Sequence, residues 1–133
     1  DKDHEAKDDE NVFSGSKMEC ENMKISGPYA EIIDSPFSGV ALYSNDDSCT
    51  YTQSFKEETN DFILCGASDN ELTAKVDLLV GGINVGTFTF TGTEPTECVL
   101  SGITHDSGNQ TVKLVASGDD GTWDAFVDYL VIK

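Results

Sequence analysis

Short β-like runs recur along this chain, and nothing in it has helical period. From residue 17 onward, stretches rich in Val, Ile, Phe, Thr and Tyr alternate with Gly, Asn, Asp and Ser. The pattern predicts strands at 18–25, 40–43, 48–55, 61–67, 74–80, 84–90, 97–103, 111–117 and 126–132. Val76/Leu78/Val80 and Phe88/Phe90 each place an apolar residue at every second position, as a strand with one buried face requires. Gly81-Gly82 between two such runs reads as a hairpin turn. Strands repeating at about 8–12 residues imply a sandwich or barrel. Two antiparallel sheets in a jelly roll cover the apolar faces most economically, so an all-β sandwich is expected. At 133 residues the chain suits one domain.

Charge narrows the partners. There are 25 acidic residues against 8 basic ones, a net charge of −17. Nucleic acid and anionic membrane surfaces would be repelled, and no apolar run approaches the roughly 20 residues that span a bilayer. Neutral partners and cations remain. Residues 1–16 are charge-dense and poor in apolar side chains, which predicts a disordered leader or interdomain linker, with the folded module at 17–133. On that reading the chain is a module from a longer protein. Cysteines at 20, 49, 65 and 98 lack zinc-ligand spacing. One or two disulfides are expected, in any of three pairings, and with the acidic, arginine-free composition they point to a secreted, extracellular protein.

Function gathers at the stretch Asp119-Asp120-Gly121-Thr122-Trp123-Asp124-Ala125-Phe126-Val127-Asp128. Asp and Gly are common turn residues, so a plain polar turn is the simplest reading. The acids continue past the turn, however, and crowd around the only tryptophan. Crowded carboxylates repel one another unless a cation sits between them, and without one the loop should be loose. A hard cation such as Ca²⁺ takes oxygen ligands, which Asp119, Asp124 and the Trp123 carbonyl can supply. The EF-hand spacing is absent. Glu19 and Glu21 flank Cys20 on a predicted strand, where they would share a face and could clamp a cation if Asp128 approached. Tyr29 and Tyr43 fall in or beside loops and are candidates for flat contact with a sugar ring. No nucleophile elbow, phosphate loop or credible Cys/His arrangement is present. Acids are too abundant for a glycosidase pair to mean anything.

The sequences Met18-Glu19-Cys20-Glu21-Asn22-Met23-Lys24-Ile25, Ser35-Pro36-Phe37-Ser38-Gly39-Val40-Ala41-Leu42-Tyr43, Cys65-Gly66-Ala67-Ser68, Ala74-Lys75-Val76-Asp77-Leu78 and the run from Asp119 to Tyr129 resemble carbohydrate-binding module family 36. These are calcium-dependent xylan-binding modules of xylanases, related to families 6, 35 and 60. The resemblance covers residues 17–133 in unbroken order. It implies a jelly-roll sandwich that is non-catalytic and monomeric, binds xylan and xylo-oligosaccharides, and is tethered to a glycoside hydrolase. It further implies two calcium sites. The first would use Asp119, Asp124 and the Trp123 carbonyl, with xylose 2- and 3-hydroxyls completing the shell and Tyr29 and Tyr43 lining the sugar. The second, structural, would use Glu19, Glu21 and Asp128. The four cysteines and Phe126, where the family has tyrosine, depart from the pattern. A calcium-stabilised adhesion or assembly module without a sugar site is the alternative.

Overall fold

The computed structural model describes residues 12–133. The strands are β1 (Val12–Phe13), β2 (Lys17–Glu19), β3 (Lys24–Ser26), β4 (Glu31–Ile33), β5 (Gly39–Leu42), β6 (Ser48–Phe55), β7 (Thr59–Ser68), β8 (Thr73–Val80), β9 (Ile83–Thr91), β10 (Thr96–Thr104), β11 (Gly108–Ala116) and β12 (Ala125–Ile132). They form two sheets. One runs β1-β6-β11-β8-β9, with β3 also on β6; the other runs β10-β7-β12-β5-β4, with β2 also on β12. Apart from the parallel β1–β6 contact, the pairings are antiparallel. This is the expected two-sheet β-sandwich.

Alternation builds the core as predicted. Val76, Leu78, Val80, Phe88 and Phe90 all point inward and are buried. They meet Val40, Leu42, Phe62, Leu64, Val127 and Leu130 from the opposite sheet in one cluster. Each such side chain, fully buried, contributes about 1.5–3 kcal/mol. Gly81 and Gly82 have φ of 62° and 84°, and Val80 pairs with Ile83. A two-residue hairpin of that hand needs both positive φ values, which glycine adopts without a Cβ clash.

Four expectations are corrected. Residues 18–25 are not one strand: after Glu19 the chain makes a 3₁₀ turn, Cys20–Asn22, closed by the Met23 N–H donating to the Cys20 carbonyl at 3.0 Å. β1 and β4 lie in stretches read as leader and loop; they are short pieces beside β6 and β5 whose exposed or half-buried side chains leave no apolar alternation to read. Structure therefore starts before Lys17. Gln53 Nε2 donates to the Gly15 carbonyl at 3.0 Å and the Ile132 N–H to the Ser16 carbonyl at 2.8 Å, fastening this segment to both sheets. The remainder of the predicted leader, residues 1–11, lies outside the described residues.

The cysteines are the fourth correction, since all four are free thiols. Register explains why Cys65 and Cys98 do not bond, although β7 and β10 are neighbours. Cys65 opposes Glu97 and Cys98 opposes Leu64, so the two cysteines are one residue out of step and on opposite faces. Cys20 and Cys49 are both fully buried core residues. Burial, and next the neighbouring Cys49 thiol, raise the Cys20 thiol well above its usual range and keep it neutral.

Candidate functional site

The topology brings four connections to one end of the sandwich: residues 27–30, 43–47, 69–72 and 117–124. Polar side chains make most of the hydrogen bonds among them. Asn45 Nδ2 donates to the Asp119 carbonyl at 3.1 Å, and the Asp119 N–H donates back to Asn45 Oδ1 at 3.0 Å. Asn70 Nδ2 donates to the Thr122 carbonyl at 2.7 Å. The Asp124 N–H donates to Asp69 Oδ1 at 2.7 Å, while the Asp69 N–H donates to the Asp124 carbonyl at 3.1 Å. The acidic loop is thus tied at 119, 122 and 124 through its backbone.

Within the loop the acids divide. Asp120 is exposed and turns back on Thr122, accepting from its hydroxyl and, at 3.0 Å, from its N–H. Those bonds favour its ionised form and lower its pKa. Asp119 Oδ1 accepts from the Gly121 N–H at 2.7 Å, but its Oδ2 is buried with no hydrogen-bond partner. A buried carboxylate oxygen without a donor is costly, and a cation is the natural partner for it. Asp124 is pushed up to about 6, by burial first and then by the neighbouring Asp69 and Asp119 carboxylates. Three negative groups converge there, and Asp69 is one that sequence reading missed. Its only signal was an Asp in a turn after a strand, which nothing connects to a loop 55 residues later.

The remaining predicted residues fall as follows. Trp123 is buried, with 6% of its surface accessible, and belongs to the core cluster. Its ring anchors the loop in the core. Tyr29 is 64% exposed. Tyr43, half-buried directly after β5, donates its hydroxyl to Glu31. That bond, burial and the negative charges of Glu31 and Asp124 push the phenol up to about 12, so it stays neutral beside the acids.

A second grouping lies around β2 and β12. Glu19, Glu21 and Asp128 each bring a carboxylate oxygen to within 4.8 Å of the others. Two irregularities produce this. The 3₁₀ turn carries Glu21 around, where a straight strand was expected to align it with Glu19. On β12 the register with β7 shifts between Val127 and Tyr129, and the bulge re-aims Asp128. Burial, then Glu19 and Glu21, raise the Asp128 pKa. Glu21 Oε1 is buried without a hydrogen-bond partner. The two orphaned carboxylate oxygens of the described residues therefore lie one in each predicted cation site.

His105 has no comparable freedom. Its ring packs at a tilt against Phe55, 4.1 Å between centroids, and both ring nitrogens are engaged, by the Asp106 carbonyl and Asn60 Oδ1. His4 lies outside the described residues.

A jelly-roll sandwich with converging acids and exposed or half-buried tyrosines at one loop end defines the class: a β-sandwich carbohydrate-binding module, which binds without catalysing. No protein-family model matches the chain. Among solved structures, a family 36 carbohydrate-binding module in complex with calcium and xylotriose is 52% identical, with a TM-score of 0.88 over 89% of this chain and 99% of that one. A family 36 domain of a multidomain xylanase from the hindgut metagenome of Trinervitermes trinervoides is 46% identical, also at TM-score 0.88, over 89% of this chain and 95% of that one. The chain belongs to carbohydrate-binding module family 36.

Curated relatives are an arabinoxylan arabinofuranohydrolase of Paenibacillus polymyxa, 54% identical over 115 residues, and a bifunctional xylanase/deacetylase of Pseudobutyrivibrio xylanivorans, 48% identical over 118. The matches cover 86% and 89% of this chain but only 18% and 20% of those enzymes. The chain spans about a fifth of the length of the curated relatives it matches.

Proposed function

We propose that this module binds xylan and xylo-oligosaccharides through calcium and holds a tethered glycoside hydrolase on plant cell-wall polysaccharide. The observation that carries the reading is the orphaned Asp119 Oδ2, buried beside Asp124, which Asp69 also crowds and whose charge reaches the Tyr43 phenol. Asp119 and Asp124 side chains and the Trp123 carbonyl would hold one calcium. Protein oxygens this few leave positions open, and two adjacent sugar hydroxyls can fill them without loss of cation–oxygen contacts. Tyr29 and Tyr43 would present ring faces to the sugar. Glu19, Glu21 and Asp128 would hold a second, structural calcium that fastens β2 to β12. The relative solved with calcium and xylotriose supports both ligands, and the xylan-degrading names of the curated relatives support a secreted, enzyme-linked setting. We take the module to act as a monomer.

Retention on an insoluble-xylan column tests this. Binding is expected in calcium, lost in EDTA and restored by added calcium; unchanged retention in EDTA would refute the mechanism. Calcorimetric titration of xylotriose into the calcium-loaded protein should give heat, and none would favour an adhesion or assembly role.

A further inference from the structure

The proposed calcium loop and the proposed aromatic wall come from distant parts of the chain, yet one short segment holds both. Asn45 makes the reciprocal pair with the backbone of Asp119, at 3.1 and 3.0 Å. Two residues on, Asp47 is completely buried. Its Oδ1 accepts from the Tyr29 N–H at 3.1 Å, and its Oδ2 accepts from the Tyr43 and Ser44 N–H groups at 3.0 and 3.2 Å. A buried carboxylate is tolerated when hydrogen bonds satisfy it, and three backbone donors do so here.

The backbone of Asp47 ties the segment to the sheet. Its carbonyl accepts from the Ala116 N–H at 3.1 Å, at the end of β11 where the acidic loop begins, and its N–H donates to the Ser44 carbonyl at 3.1 Å. Between the two anchors Asp46 turns at φ 78°, a left-handed conformation that an Asp tolerates better than most residues. The close fit extends to Gly27, at φ 109°. A Cβ there would lie 2.4 Å from Asp47 Oδ1, so only glycine lets the Tyr29 loop approach the carboxylate.

We propose that residues 45–47 are a positioning segment, in which Asn45 sets the calcium loop and Asp47 sets Tyr29 and Tyr43, so that cation and aromatic wall meet one sugar in fixed relation. This rests on the calcium-dependent xylan reading above and adds residues to which that reading gives no role. Neither Asn45 nor Asp47 would touch calcium or sugar. Each acts through groups that do, much as hydrogen bonds behind metal ligands fix ligand orientation.

The two halves of the segment predict opposite defects. Calorimetry of the full chain is run first with calcium chloride alone, then with xylotriose at saturating calcium. Asn45→Ala should weaken calcium binding about tenfold, the lower end for loss of a residue behind a metal ligand, and leave xylotriose affinity at saturating calcium within about twofold. Asp47→Asn should do the reverse, keeping calcium affinity within about twofold and weakening xylotriose about tenfold by leaving N–H groups unpaired. Asp47→Ala is the harsher change, so Asp47→Asn is preferred and its melting curve in calcium is recorded alongside. A general loss of stability would lower both affinities together in either variant. That outcome, or no change in either affinity, overturns the proposal. If the wild-type chain itself gives no calcium or xylotriose heat, the functional reading fails and the inference falls with it.

Discussion

Asp119 and Asp120 are adjacent and carry the same chemical group into opposite surroundings. The oxygens of Asp120 face water and Thr122; one oxygen of Asp119 is buried without a donor. Asp120→Ala should therefore leave xylan retention in calcium almost unchanged, whereas Asp124→Ala should abolish it with the far-ultraviolet circular dichroism spectrum intact. The raised pKa of Asp124 adds a pH dependence with a defined sign. Without a cation its carboxyl is pushed up to about 6, against an ordinary 3.8, so between those values the folded state binds more protons than the unfolded state. Its contribution opposes folding above pH 6 and fades as pH falls toward 4. In EDTA, Asp124→Asn should be more stable than the wild type at pH 7, and the gap should narrow by pH 4 in urea titrations. A gap that widens on acidification would contradict this.

At the level of elements, the second acidic group depends on two deviations from regular strand, a 3₁₀ turn on one side and a β-bulge on the other. The turn also buries Cys20 in the core, but the three carboxylates the two deviations gather repel one another unless a cation joins them. Glu21→Ala should lower the melting temperature measured in excess calcium more than it lowers xylotriose affinity. Each tenfold loss of calcium affinity removes about 1.4 kcal/mol of linked stability, or roughly 3–6 °C for a domain of this size. Calorimetric scans with and without EDTA separate this from lost packing, because the two proteins should melt closer together once calcium is removed. The long strands β6 to β11 lie close to where alternation predicts them. Of the short ones β5 also falls where predicted, but β1 and β4 bury too little for any pattern to reveal them, and the break after Glu19 leaves no mark in an alternating run.

Across the whole molecule, stability comes from one interdigitated core, with the proposed calcium sites kept to a loop end and one strand pair. Leu78→Ala, at a fully buried central position, should cost about 2–5 kcal/mol by urea unfolding. The functional loops should then bind normally at temperatures where that variant remains folded. The net charge of −17 gives the fold a diffuse self-repulsion, which salt or calcium relieves.

Alternation and turn chemistry determined the sandwich, because a period of two with Gly-rich breaks has few other ways to bury its apolar face. The crowded acids around Trp123 also marked the loop, and the family resemblance assigned its parts. Only the tertiary structure decided what surrounds them. Asp69 joins Asp124 from 55 residues away, Asn45 grips Asp119 from 74, and Asp47 fixes two tyrosine loops at once. Such contacts depend on which loops the two sheets bring to the same end, and on backbone hydrogen bonds that any sequence with the right polar atom could make. They leave no periodicity in the chain, so the residues that hold the site are harder to read than those expected to meet the ligand.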